Sequence, residues 1–194
     1  MIADMSAETG IEGLLVLPER SGRDDRGVVR EFYRRSELAE AAGLDVRWQQ
    51  INITTTERGA VRGLHGEPMA KLVGLAAGQA LGGYVDTRRA SPTFGHVCAL
   101  ELSVGMSILV PQGVCNGFQS TGENSCVYVY AFTEEWTAGM GGPAISPVDP
   151  ALGLDWPIAI DASNRSQISA KDAELPTFAE VYGVAPARPS PRRN

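Results

Sequence analysis

Turn-forming residues recur about every ten residues through the middle of this 194-residue chain, and that spacing limits the fold more than any other feature. A globular helix needs roughly ten uninterrupted residues with apolar positions three and four apart, whereas a strand needs only four to eight. The segments left between the Gly, Pro and Asn breaks are of strand length: VRWQQINIT (46–54), KLVGLAAG (71–78), ALGGYVDTR (80–88), HVCALELS (96–103), SILVPQG (107–113) and CVYVYAF (126–132). Several alternate apolar and polar residues with a period of two, as half-buried strands do. The pattern predicts an all-β sandwich or closed barrel.

Helical signals are few. Ser36 followed by Glu37 and LAEAAG predicts a short capped helix that stops at Gly43, and a second is predicted over 177–182. DTRRASPTFG (86–95) reads as a polar connection, and PVDPALGLDWP (147–157) as irregular chain lying across a sheet. Residues 1–10 read as a flexible leader and 186–194, PARPSPRRN, as a disordered tail, leaving one domain over 11–185.

Charge and composition exclude several classes. A net charge of -6 argues against a nucleic-acid binder, whose affinity rests on neutralising phosphates. It leaves room for a small phosphorylated ligand held by two or three local arginines. No run reaches the roughly 18–20 apolar residues of a membrane helix, and the acidic start lacks a secretory signal, so a cytoplasmic protein is expected. Cys98, Cys115 and Cys126 form no paired motif and read as reduced, buried thiols. Cys115 sits in the loop-like PQGVCNGF, where a reactive thiol is the less favoured reading.

The chain has two histidines. His96 opens a strand with no chemical partner nearby and reads as structural. His65, in VRGLHGEP, has Arg62 three residues before it and Lys71 six after. By strand alternation Gln50, Asn52 and Arg62 share a parity, although the turn at Gly59 resets it. Such a set in a barrel mouth makes a polar pocket.

Six segments in order resemble those of the dTDP-4-dehydrorhamnose 3,5-epimerase family, the RmlC-like cupins. They are DDRGVVREFY (24–33), QINITTTERGAVRGLH (50–65), KLVGLAAGQALGGYVDTRRASPTFG (71–95), PQGVCNGF (111–118), DPALGLDWP (149–157) and ISAKDAELPTF (168–178). The resemblance runs from about Gly13 to about Glu180. It implies an all-β, RmlC-like cupin jelly-roll barrel with short peripheral helices, assembled as a homodimer. It also implies a substrate of the nucleotide-linked 4-keto-6-deoxyhexose type, dTDP-linked, with no cofactor.

The family removes a proton from carbon beside the ketone and returns one to the opposite face. That requires a base on one side, an acid on the other, and a cation at the ketone oxygen. By resemblance His65 is the base, Asp172 the carboxylate that orients it, and Lys71 the cation at the oxygen. Arg62 matches the phosphate-binding arginine. Arg26 and Glu31 match residues reaching the nucleotide, partly from the neighbouring subunit. Gln50 and Asn52 match polar pocket residues.

Three departures stand out. The family's acid is a tyrosine, and the aligned positions here are Glu135 or Trp136. Tyr128 and Tyr130 lie upstream on the strand itself and read as poor substitutes. The family's HGF histidine is Asn116, and the loop after RGLH, GEPMA, is short. Glu135 and Trp136 are therefore expected to line the sugar pocket with Asn116, and inversion is expected at one centre rather than two. The other readings are a homologue that binds a sugar nucleotide without catalysis and an isomerase or cyclase recruited to another substrate. A metal cupin needs two or three His plus a Glu; with His65 beside only Glu67, no metal is expected.

Overall fold

The computed structural model describes residues 9–43 and 45–187. Of the leader expected over 1–10 and the tail expected over 186–194, residues 1–8 and 188–194 lie outside the described residues. Eleven strands are present among the described residues: β1 (Leu15–Pro18), β2 (Arg20–Asp24), β3 (Gly27–Glu31), β4 (Gln50–Thr56), β5 (Val61–His65), β6 (Lys71–Ala77), β7 (Gln79–Asp86), β8 (Val97–Ser103), β9 (Met106–Val110), β10 (Val114–Ser120) and β11 (Cys126–Phe132). Nine of them form two facing antiparallel sheets, in the orders β1-β9-β6-β11-β4 and β5-β10-β7-β8. The β2–β3 hairpin is a separate two-stranded ribbon.

Alternation decides which side chains fill the space between the sheets. Val73 and Leu75 of β6, Ile108 and Val110 of β9, and Cys126 and Tyr128 of β11 face Tyr84 of β7, Leu102 of β8 and Phe118 of β10. The outer face of the larger sheet is covered by α1 (Arg35–Ala42) and its flanks, through Leu38, Val46 and Phe32. The outer face of the smaller sheet is covered by the C-terminal third, through Ile145, Leu152 and Phe178. The 3₁₀ turn Pro150–Leu152 and helices α2 (Ala170–Ala173) and α3 (Phe178–Tyr182) lie in that covering segment. Each sheet is thus buried on both faces over much of its area, which is why several strands read as continuous apolar runs.

The folded chain begins earlier than position 11. Thr9 is buried, and its hydroxyl donates to the Leu14 carbonyl at 3.0 Å. His96 is structural, its Nδ1 lying 2.8 Å from the Gly10 carbonyl oxygen. At the other end the Ala187 amide donates to the Gly95 carbonyl at 2.8 Å.

Several local expectations need correction. PQGVCNGF is not a loop: Val114–Ser120 is an inner strand paired with β5 and β7. Cys115 is accordingly buried, and burial pushes its thiol up to about 12, so it is no reactive centre. Helix α1 starts after Arg34 rather than Ser36 and has no side-chain cap, but it does stop at Gly43 in the left-handed conformation. Helix α3 begins one residue later than expected, with Thr177 and Glu180 closing a reciprocal cap.

Candidate active site

A cavity of about 260 Å³ opens between the two sheets where the edge strands β4 and β5 approach each other. One wall comes from β5 and β10, with Arg62, His65, Asn116 and Phe118; the facing wall comes from β6, β11 and β4, with Lys71, Tyr128, Tyr130 and Thr54. Asp172 and Ser169 close one end.

The smaller wall is held tightly. Beside β10, the other edge of β5 is bridged by 143–145: Leu64 and Ile145 exchange backbone hydrogen bonds at 3.1 Å, and the Gly66 amide donates to the Pro143 carbonyl at 2.8 Å. An exposed strand edge is thereby capped beside the histidine. Gly117 packs against β5 so closely that a Cβ there would collide with the Arg62 carbonyl oxygen. This contact sits at the irregularity in the β5–β10 register, between Asn116 and Phe118.

His65 and Asp172 meet through this framework. Ser169 caps α2 by accepting from the Asp172 amide at 3.0 Å, which aims the Asp172 carboxylate at the strand. Its Oδ1 lies 2.8 Å from His65 Nε2, and its Oδ2 accepts from the Gly63 amide at 3.4 Å. Burial pushes this carboxyl up, but the hydrogen bond and charge of His65 outweigh it and hold Asp172 below the usual carboxylate range. An ionised carboxylate can only accept, so His65 Nε2 carries the proton and Nδ1 is the basic ring atom.

Lys71 is almost wholly buried. Its Nζ donates to the His65 carbonyl oxygen at 3.0 Å and pairs with Glu67. Burial pushes Glu67 up, but Lys71 beside it prevails and the carboxyl sits below its usual range. An ammonium is therefore held against the backbone of the histidine, with Glu67 as counter-ion. The sequence brings Glu67 in only beside a metal, whereas in the structure it is the counter-ion of Lys71. Among the described residues no cluster of three or more His, Cys, Asp or Glu is placed to hold a metal ion.

The structure brings together Arg62, His65, Lys71, Asn116 and Asp172, and leaves other expected residues outside the lining. Gln50 and Asn52 do lie on the inward face of β4, with Gln50 donating to Asn52 at 3.0 Å. Arg62 Nε donates to Thr56, on the same face of β4 as Gln50 and Asn52, at 2.9 Å. Arg26 pairs with Asp24 at the hairpin tip, and the half-buried Glu31 pairs with Arg34; neither Arg26 nor Glu31 is among the residues lining the cavity. Glu135 and Trp136 also fall outside the lining. Trp136 is 48% exposed, and its amide donates to Gln50 Oε1 at 2.8 Å. The chain leaves β11 at Phe132, so residues three and four positions further on have already passed the cavity mouth.

The tyrosines judged poor substitutes are the ones inside. Residues 128, 130 and 132 share the inward parity of β11, and all three line the cavity. Even spacing along CVYVYAF was the signal for this, once the strand is known to be buried on both faces.

The comparisons agree with this architecture. The sequence profile of the family described as dTDP-4-dehydrorhamnose 3,5-epimerase matches residues 8–180. The enzyme of that name from Salmonella typhimurium is 32% identical over 175 residues, covering 87% of this chain and 92% of its own. A dTDP-4-dehydrorhamnose 3-epimerase from Streptomyces niveus is 31% identical over 196 residues, covering 94% and 93%. The crystal structure of the 3,5-epimerase RmlC from Legionella pneumophila, in complex with dTDP-4-keto-L-rhamnose, superposes with a TM-score of 0.80 at 27% identity, covering 93% of this chain and 96% of that one. A jelly roll of this strand order, a histidine–aspartate pair at its mouth and a profile match over nearly all the described residues have one common explanation: the chain belongs to the dTDP-4-dehydrorhamnose 3,5-epimerase family.

Proposed function

We propose that this chain is a sugar-nucleotide epimerase that inverts one carbon beside the ketone of a dTDP-linked 4-keto-6-deoxyhexose. The observation that carries the reading is the His65–Asp172 pair, with Lys71 beside it on the same cavity. His65 Nδ1 takes the proton from carbon next to the ketone. The imidazolium so formed is stabilised by the ionised Asp172, and Lys71 offsets the charge that gathers on the enolate oxygen. Arg62 lines the same cavity and binds the diphosphate in this reading.

Inversion needs a proton from the opposite face. Glu135 and Trp136 do not reach the cavity, while Tyr130 of β11 lines the wall facing His65. Tyr130 is the donor in this reading. Use of the scaffold at a single centre has a parallel in the relative named a 3-epimerase.

The assembly proposed is a homodimer. Ile51 and Ile53 are 64% and 70% exposed on the outward face of the edge strand β4, and Val28 and Val29 are exposed on the β2–β3 hairpin. These apolar positions, and hairpin residues Arg26 and Glu31, are accounted for if each hairpin docks on a second copy. Buried thiols at all three cysteines suit a cytoplasmic setting; no described helix is long and apolar enough to cross a membrane.

The test is incubation with a dTDP-4-keto-6-deoxyhexose in deuterated water, following the C3 and C5 protons by NMR. Exchange and inversion at one carbon are expected, and Tyr130→Phe is expected to slow inversion more than exchange. Binding without exchange at either carbon would make the chain a non-catalytic homologue. A solution mass of one chain would remove the dimer.

A further inference from the structure

We infer that Tyr128 and Asn116 together form a recognition site for a hydroxyl group on the sugar ring, so that the protein selects substrates that keep that hydroxyl over deoxygenated ones. The inference rests on the epimerase reading only for the class of ligand, a nucleotide-linked hexose.

Strand register brings the two residues together. Asn116 of β10 is the direct cross-strand partner of His65 on β5, so its side chain stands beside the imidazole on the same face. Phe118, two residues on, shares that face. Tyr128 comes from the opposite sheet and stacks flat on Phe118, with ring centroids 3.9 Å apart and planes 6° from parallel. The stack fixes the phenol ring, and both residues line the cavity.

Neither group is satisfied within the protein. Tyr128 is 3% and Asn116 9% exposed, and both the Tyr128 hydroxyl and Asn116 Oδ1 are buried without a hydrogen-bond partner. Burial pushes the phenol well up, and the Asn116 side chain beside it opposes that rise as a weak hydrogen-bonding neighbour, short of the geometry of a closed hydrogen bond. The large majority of buried side-chain polar atoms are paired, so two orphans at one spot on a cavity wall require an explanation. A phenylalanine at 128 would keep the stack and remove one of them.

The chemistry of the pair specifies its ligand. A phenol donates and an amide oxygen accepts, so a group that accepts and donates at one point satisfies both. An alcohol does this. A ketone oxygen accepts only, an ammonium donates only, and a CH₂ leaves both orphans in place. Sites built around a substrate hydroxyl discriminate strongly against the analogue lacking it, because their own buried groups then stay unpaired. Because Asn116 adjoins His65, the hydroxyl recognised is on or next to the carbon that reacts. Tyr128 thus has a different task from Tyr130: it stays protonated and donates a hydrogen bond.

Calorimetric binding of dTDP-6-deoxyglucose and its 2-deoxy and 3-deoxy analogues tests this without catalysis, since none carries the ketone. The wild type is expected to bind the fully hydroxylated ligand about tenfold or more tighter than one of the two analogues. Tyr128→Phe and Asn116→Val are expected to bring that ratio to within about twofold, through lost affinity for the hydroxylated ligand alone. Unliganded Tyr128→Phe should melt no lower than the wild type, because it removes an unpaired buried hydroxyl. A wild-type ratio near one, a ratio unchanged in a folded Tyr128→Phe, or failure to bind any of the three ligands would overturn the inference. Absence of proton exchange with a 4-keto substrate, alongside intact discrimination in binding, would sink the epimerase reading and leave this one standing.

Discussion

His65 and Asp172 lie 107 residues apart in the chain and 2.8 Å apart in the structure, joined by Nε2 and Oδ1. Their union assigns the histidine proton to Nε2 and the basicity to Nδ1. Removing either member is expected to have different effects. His65→Asn should reduce proton exchange by about 10³-fold, near the upper part of what general-base catalysis supplies, with little change in melting temperature. Asp172→Asn keeps the shape but can donate to the ring, permitting the wrong tautomer, and should cost about 10²-fold with an altered pH profile. Full exchange in His65→Asn would remove the base assignment.

The same carboxylate makes stability depend on pH, together with Glu67. Both have folded-state values below their unfolded ones. Each therefore stabilises the fold above the unfolded value, about 4, and the contribution is lost as pH falls through the lower folded value. Melting curves between pH 7 and pH 3 should show wild type and an Asp172→Asn/Glu67→Gln variant converging on the acid side. A gap that stays constant would count against these ion pairs.

Lys71 is buried and Glu67 half-buried beside it, so breaking one side should be worse than removing both. Lys71→Met leaves a half-buried carboxylate without its counter-ion and is expected to cost about 1–3 kcal/mol of stability. Adding Glu67→Gln should restore much of that while leaving exchange slow, since the cation at the enolate oxygen is still missing. Denaturant titration of the single and double variants checks the first statement and NMR exchange the second.

Arg62 lines the cavity with its guanidinium tethered to Thr56. Arg62→Ala should weaken dTDP binding by about 1.5–3 kcal/mol, the scale of a charge-assisted contact, with little effect on folding. Calorimetry with dTDP alone isolates this from anything the sugar contributes. Chelator added to the wild type should change neither binding nor exchange.

Gly117 is predicted to be irreplaceable for a steric reason. Alanine there would drive its Cβ into the Arg62 carbonyl and to 2.7 Å from Leu64 Cδ2. The β5 strand would have to move, and His65 with it. Gly117→Ala is expected to lower both melting temperature and exchange, whereas the same change at Gly105, whose surroundings are open but whose φ is +105°, should lower stability alone.

Strands β4, β6 to β9 and β11 were readable because each is a short apolar or alternating run between turn residues. β10 was missed because VCNGFQS contains Asn and Gly, which usually mark turns; here Gly117 is demanded by close approach to β5 and Asn116 by its place on the cavity wall. Helix α2 was missed because four residues carry no periodicity. His65, Asp172, Lys71 and Arg62 were reached through motif resemblance; spacing alone would have left Asp172 a loop acid. Trp136 and Glu135 were misplaced because aligning a motif does not fix where a strand leaves its sheet. Glu67 escaped because its role depends on burial beside Lys71, which no local pattern reveals.

The two walls of the cavity belong to different sheets, and this makes the protein tolerant of some mutations and intolerant of others. On β11 the inward residues alternate with Val127 and Val129, so inserting one residue early in the strand would turn Tyr128, Tyr130 and Phe132 outward together and bring valines in. The imidazole, anchored on β5 between β10 and the 143–145 segment, would stay where it is. Point substitutions on β11 can therefore retune the ligand one contact at a time while the base is kept. A frame slip in the same strand would leave a proton-abstracting centre facing a hydrocarbon wall.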